Sequence, residues 1–194
     1  MFTLRGFIES IASPLGAALH MGDRTYAFDA NNGLSDGASA LTVSGYAQYG
    51  GADGIVDTGG NQNVTITLPS IASVSSITPQ QARIDCVIPI WLTAIIVTSG
   101  CYYKLLALIS NDPSFGAGNV QIGGSLQFGI AGSNDVPNGI TTPTPNAIGG
   151  DPYELLLTTE QNNVKYEYVK LYVVLGGSNA SITFKAFLAV LPQM

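Results

Sequence analysis

Charge is what this chain has least of. Only 10% of its 194 residues are Asp, Glu, Lys or Arg, against about 25% in an ordinary soluble domain. Such a surface is poorly suited to a dilute monomer and suits a protein that neighbours cover. Lys and Arg number 7 against 13 Asp and Glu, a net charge of −6, and the basic residues form no cluster. Binding to a nucleic-acid backbone or to an anionic membrane surface needs such a cluster, so both are excluded as partners. Histidine is nearly absent too. A Ser-His-Asp or Cys-His device would have to use His20, which sits in a Gly- and Ala-rich stretch with no base beside it. The two cysteines, Cys86 and Cys101, are too few for a disulfide framework and lack zinc spacing with His20. They read as buried free thiols. The longest apolar run, 86–97, is too short to cross a membrane as a helix and contains Pro89. Gly123-Gly124 and Gly149-Gly150 precede neither a Lys-Ser/Thr pair nor a helix, so they are not phosphate loops. The chain reads as a non-enzyme with no cofactor and no metal.

What is present is β pattern. Strand candidates are Leu41–Tyr46, Val64–Leu68, Arg83–Ile90, Trp91–Thr98, Cys101–Ile109, Ser125–Ile130, Tyr153–Thr159, Val164–Leu175 and Ala180–Leu191. Breaks rich in Gly, Asn, Asp and Pro separate them, and Asn31–Ala40 reads as a loop. Many short strands without a clear helix predict an all-β, antiparallel jelly roll or β-sandwich. Residues 31–194 are expected to form a single such domain. Residues 1–30 read as an N-terminal arm or short helix. Leu4, Phe7, Ile8, Ile11 and Leu15 have partial helical spacing, which Gly6, Pro14 and Gly16 weaken. Glu9 and Pro14 interrupt what would be the apolar core of a signal peptide, so the segment reads as retained.

Val164 to Leu191 alternates with a two-residue period on both sides of Gly176-Gly177-Ser178-Asn179. The pattern predicts a hairpin in which Val173 faces Ile182, Leu171 faces Phe184 and Val169 faces Ala186. The opposite face then holds Tyr166, Tyr168, Lys170 and Tyr172 across from Ala189, Phe187, Lys185 and Thr183. Lys170 opposite Lys185 is unfavourable unless relieved. Either another part of the chain covers this aromatic face, or Tyr166, Tyr168, Lys170, Tyr172, Lys185 and Phe187 form a subunit interface.

Two further stretches stand out. Ala131–Pro152 is long for a loop inside a compact domain. It is either a mobile surface loop or an arm laid over a neighbour, its Thr142, Pro143 and Pro145 favouring extended backbone. Gly50–Gly60 resembles a calcium-binding Gly-Asp repeat, but it occurs once and not in tandem.

Several of these segments, in order, carry a resemblance: Leu108–Phe115 (L-I-S-N-D-P-S-F), Leu126–Gly129 (L-Q-F-G), then Y-E-Y-V-K-L-Y-V-V-L-G-G-S and I-T-F-K-A-F-L-A-V-L. The chain resembles the jelly-roll cement, or capsid-decoration, proteins of tailed bacteriophages, of the type found on a Bordetella podophage. The matching positions are Ser110, Asp112, Phe115, Tyr168, Lys170, Leu171 and Tyr172, within roughly Tyr103–Val190; Lys170 stands where an arginine is often found. The resemblance implies a structural virion protein on the outer surface of an icosahedral head, where it reinforces contacts between major capsid proteins. It implies the major capsid protein and further copies of itself, as a trimer, as partners. Phe2, Leu4, Phe7 and Ile8, with Thr142, Pro143 and Pro145, would be its capsid anchors. The alternative is a receptor- or glycan-binding head of a tail fibre or other appendage, using Tyr46, Tyr49, Tyr102 or Tyr103. A hydrolase or lyase on the same scaffold would need a carboxylate pair that spacing alone does not supply.

Overall fold

A computed structural model of the chain describes residues 17–20, 23–26, 29–58, 66–71, 74–77, 83–98, 100–129, 140, 143–146 and 151–190. In chain order the strands are β1 (Ala17–His20), β2 (Asp23–Tyr26), β3 (Gly33–Asp36), β4 (Gly45–Tyr46), β5 (Gln48–Tyr49) and β6 (Ala52–Asp53). They continue with β7 (Ile55–Asp57), β8 (Ile66–Ile71), β9 (Val74–Ile77), β10 (Asp85–Ile95), β11 (Tyr102–Ser110) and β12 (Val120–Gly129). The last six are β13 (Tyr153–Thr158), β14 (Glu160–Gln161), β15 (Val164–Lys165), β16 (Tyr168–Gly176), β17 (Ile182–Phe187) and β18 (Ala189–Val190). Among the described residues the only helical turn is the 3-10 piece Ala30–Asn32, capped by Asp29.

Two antiparallel sheets dominate. The first has the order β13-β10-β17-β3, with β18 also on β10; the second has β12-β11-β16-β4, with β7 also on β16. The chain crosses from one sheet to the other at nearly every step, from β3 to β4, β7 to β10, β10 to β11, β12 to β13, β13 to β16 and β16 to β17. Within these two main orders only β11 and β12 are consecutive strands paired in one sheet. This double Greek-key wiring is that of a jelly roll, so the expected all-β antiparallel sandwich is what the chain forms.

The period-two pattern builds the core. Cys86, Ile88, Ile90 and Leu92 of β10 and Ile182, Phe184 and Ala186 of β17 point inward from the first sheet. Tyr103, Leu105, Ala107 and Ile109 of β11 and Val169, Leu171 and Val173 of β16 meet them from the second, all in one buried cluster. β10 is apolar on both faces, and the intervening Val87 and Trp91 form a second buried cluster with Phe187 and Ala189. A strand buried on both sides reads as a continuous apolar run. The run was expected as two strands meeting at Ile90; it is one strand of 11 residues, with a register shift between Leu92 and Ala94. Pro89, which cannot donate to a ladder, falls where β10 changes partner, between Cys86-Val87 on β18 and Ile90 on β17.

The predicted C-terminal hairpin is not formed. β16 pairs with β11, β4 and β7, whereas β17 pairs with β10 and β3. The residues expected to face one another are all buried, but they meet across the sandwich instead of side by side. Alternation states which face is buried; it does not state whether the next strand lies beside or opposite. At the connection Gly177 has φ +94° and Asn179 φ +61°. A Cβ on Gly177 would overlap the Gly100 backbone, so only glycine lets the two loops pass this closely.

Other boundaries moved. β12 begins at Val120, not Ser125; Val164–Leu175 divides into β15 and β16; and the expected loop Asn31–Ala40 contains β3. Within the expected N-terminal arm, β1 and β2 pair antiparallel, and His20 lies opposite Asp23. Residues 1–16, where a short helix was considered, lie outside the described residues.

Candidate functional site

Residues opposite one another in a ladder share a face. With Val169, Leu171 and Val173 inward, Tyr168, Lys170, Tyr172 and Val174 point away from the core. Their register partners share that outer face. Tyr172 lies between Leu106 and Tyr46, Lys170 between Leu108 and Ile55, and Tyr168 between Ser110 and Asp57. Leu106, Tyr46, Tyr172, Tyr168 and Val174 are half-buried and Ile55 is exposed. The centre of this outer face is therefore aromatic and aliphatic, with Asp57 beside Tyr168 and Lys104 beside Val174 towards its ends.

Lys170 is at its centre and is almost wholly covered, its side chain 9% exposed. Its Nζ lies 3.3 Å from Asp53 Oδ2, 4.8 Å from the Tyr46 ring centroid and 5.0 Å from the Phe115 ring centroid. Tyr46 meets Tyr172 edge to face at 5.1 Å. A carboxylate and two aromatic rings replace the water that this ammonium gives up. The charge thus holds three separate pieces of chain together: the β6 strand, β4 and the 111–119 loop.

That loop is built to deliver Phe115. The Asp112 Oδ1 accepts hydrogen bonds from Ser114 N at 2.8 Å and Ser114 Oγ at 2.6 Å, and Oδ2 accepts one from Gly116 N at 3.3 Å. These bonds, the Ser114 side chain first, hold the Asp112 carboxyl below its ordinary pKa. The Asp112 backbone N donates to Ser110 Oγ, and Phe115 N donates to Asp112 O. Phe115 takes φ +53°, unusual for a bulky residue, and is buried over Lys170. The motif positions Ser110, Asp112, Phe115 and Lys170, up to 60 residues apart by number, are thus one contact system.

The six expected interface residues do not share a surface. Tyr166, Tyr168, Lys170 and Tyr172 belong to the second sheet and the turn before it, whereas Lys185 and Phe187 lie on the first sheet. Lys170 does not face Lys185, which sits between Trp91 and Asp36. Phe187 is fully buried, stacked on Trp91 with centroids 5.9 Å apart. Both corrections follow from the missing hairpin.

Of the expected anchors, Phe2, Leu4, Phe7, Ile8 and Thr142 lie outside the described residues. Pro143 is buried and Pro145 exposed. The described parts of the 131–152 loop dock on their own chain. Ile140 exchanges backbone hydrogen bonds with Gly129 and Gln127, and Asn146 Oδ1 and N take and give bonds at Leu92 of β10. Asn146 Nδ2 donates to Asp151 O, and the Tyr153 hydroxyl bridges Thr144 N and O.

The four tyrosines named as sugar platforms are each engaged. Tyr103 is buried and its hydroxyl donates to a backbone carbonyl, with Ile96 O at 2.6 Å. Tyr46 covers Lys170, Tyr102 packs under Gly176 and Lys104, and Tyr49 packs against Gly33. Cys86 and Cys101 are buried free thiols, and burial pushes Cys86 up to about 12. In the Gly50–Gly60 stretch, Asp53 pairs with Lys170, and among the described residues no group of three or more His, Cys, Asp or Glu could hold a metal. Gly123 and Gly124 have a packing role. A Cβ on Gly124 would overlap the Leu156 carbonyl, so glycine lets the edge of one sheet close on the edge of the other.

No family model, curated protein or solved structure matches this chain.

Proposed function

We propose that this protein is a structural component of a phage virion that binds the outer surface of the icosahedral head and reinforces contacts between major capsid proteins. The observation that carries the reading is the outer face of the second sheet. It brings the residues of the cement-protein resemblance together, with Ser110, Phe115 and Lys170 buried beneath and Tyr168 and Tyr172 half-exposed. Lys170 is paired inside the chain with Asp53, so the centre of the face offers aromatic and aliphatic contact area between Asp57 and Lys104, a mix that suits a neighbour. The 10% charge content points the same way. The resemblance adds a trimer as the assembled form. Repeated docking at symmetric sites makes modest single contacts sufficient.

The test is co-sedimentation with expanded heads that lack this protein, with its oligomeric mass measured in parallel. The reading expects saturable binding and a trimeric mass. A monomer that stays in the supernatant overturns it.

A further inference from the structure

The 111–119 loop, the start of β12 and the segment Val164–Tyr166 border an open cleft of about 360 Å³, lined by Asn111, Asp112, Asn119, Gln121, Val164 and Tyr166. Small-molecule sites span roughly 300–1,000 Å³, so the cleft admits one small ring. The Asn111 and Asp112 side of the cleft is fixed by hydrogen bonds, while Asn119 and Gln121 are exposed. Asn111 Nδ2 donates to Lys165 O at 2.9 Å and its Oδ1 accepts from Glu167 N at 3.1 Å, which ties the two loops together. The Asp112 carboxylate is fixed by its three bonds to Ser114 and Gly116 and keeps accepting capacity to spare. The side-chain amides of Asn119 and Gln121 and the Tyr166 hydroxyl make no hydrogen bond among the described residues, while the Tyr166 ring packs against the core.

The chemistry is specific in kind. Two side-chain amides each present a donor and an acceptor, beside a fixed carboxylate and a phenol hydroxyl. That set matches neighbouring hydroxyl groups on one ligand. Val164, 45% exposed, and Tyr166 add an apolar strip for a C–H face. No Lys or Arg lines the cleft, and the ionised Asp112 repels anions, which disfavours phosphates and acidic sugars. We propose that this cleft binds a neutral saccharide ring. It shares no tyrosine with the platforms considered above, and it stands whether or not the chain binds a capsid.

The test is titration of the full-length, isotope-labelled protein with glucose, galactose, mannose and N-acetylglucosamine in turn, with glucuronate as the charged control. At least one neutral sugar should shift the Asn119 and Gln121 side-chain amides and the Tyr166 backbone signal, with millimolar affinity. The double variant Asn119→Ala/Gln121→Ala should weaken that binding at least tenfold and leave the denaturation midpoint unchanged. Tyr166→Phe, which keeps the ring, should weaken it less. The proposal is overturned if none of the four sugars moves these signals, if glucuronate binds as well as the neutral sugars, or if the double variant binds like the wild type.

Discussion

Lys170 is the residue on which the local physics turns. In water its ammonium would be fully hydrated; here Asp53, Tyr46 and Phe115 take the place of that shell. Lys170→Met keeps most of the stem and removes the charge, leaving a partly solvated Asp53 and two rings without their cation. We expect a loss of about 1–3 kcal/mol in stability, read by chemical denaturation, and none if the cage were incidental. Asp112 supplies a pH prediction. Its folded pKa is depressed, so its contribution is present above the ordinary value of 3.8 and is lost as pH falls through the lower folded value. Backbone amide signals of 111–119 should therefore be unchanged at pH 5 and disperse only below that ordinary value; loosening near pH 6 would contradict the assignment. The alternation places Lys170 among tyrosines, where it lies, but the like-charge partner Lys185 expected opposite it is on the other sheet. Of the two covers the sequence leaves open, Lys170 takes the one from its own chain; which residues supply it is not legible, because Asp53 lies 117 residues away in sequence and no local pattern links them.

At the scale of elements, the alternating apolar positions were legible and the pairing was not. Val169, Leu171, Val173, Ile182, Phe184 and Ala186 are inward as read. A hairpin and an arch across the sandwich bury the same residues, so periodicity cannot separate them. What separates them is the close pass of Gly177 over Gly100, a contact between two loops. β3, β4 and β7 were missed or displaced because strands of two to four residues are too short to show a period. The Gly123-Gly124 pair carries a test of the seam between sheets. Gly124→Ala should destabilise by about 1–3 kcal/mol, since the new methyl meets the Leu156 backbone. Gly45→Ala, where a Cβ finds only one atom at 4.0 Å, should stay within about 0.5 kcal/mol. Equal effects in thermal or denaturant unfolding would remove the seam argument.

For the whole molecule, the proposed contact role rests on a low charge content and on the aromatic residues of the outer sheet face. The jelly roll places the 111–119 loop, β4, β7 and β16 on one surface from three distant parts of the chain. The composition suggests the proposed role; the face itself needs the fold, since half of the residues expected on it belong to the opposite sheet. The most direct measurement is head binding by Tyr168→Ser/Tyr172→Ser beside the wild type, with each protein's unfolding midpoint recorded. The account predicts a folded double variant that no longer co-sediments with heads lacking this protein. A folded double variant that binds them as tightly as the wild type would contradict it.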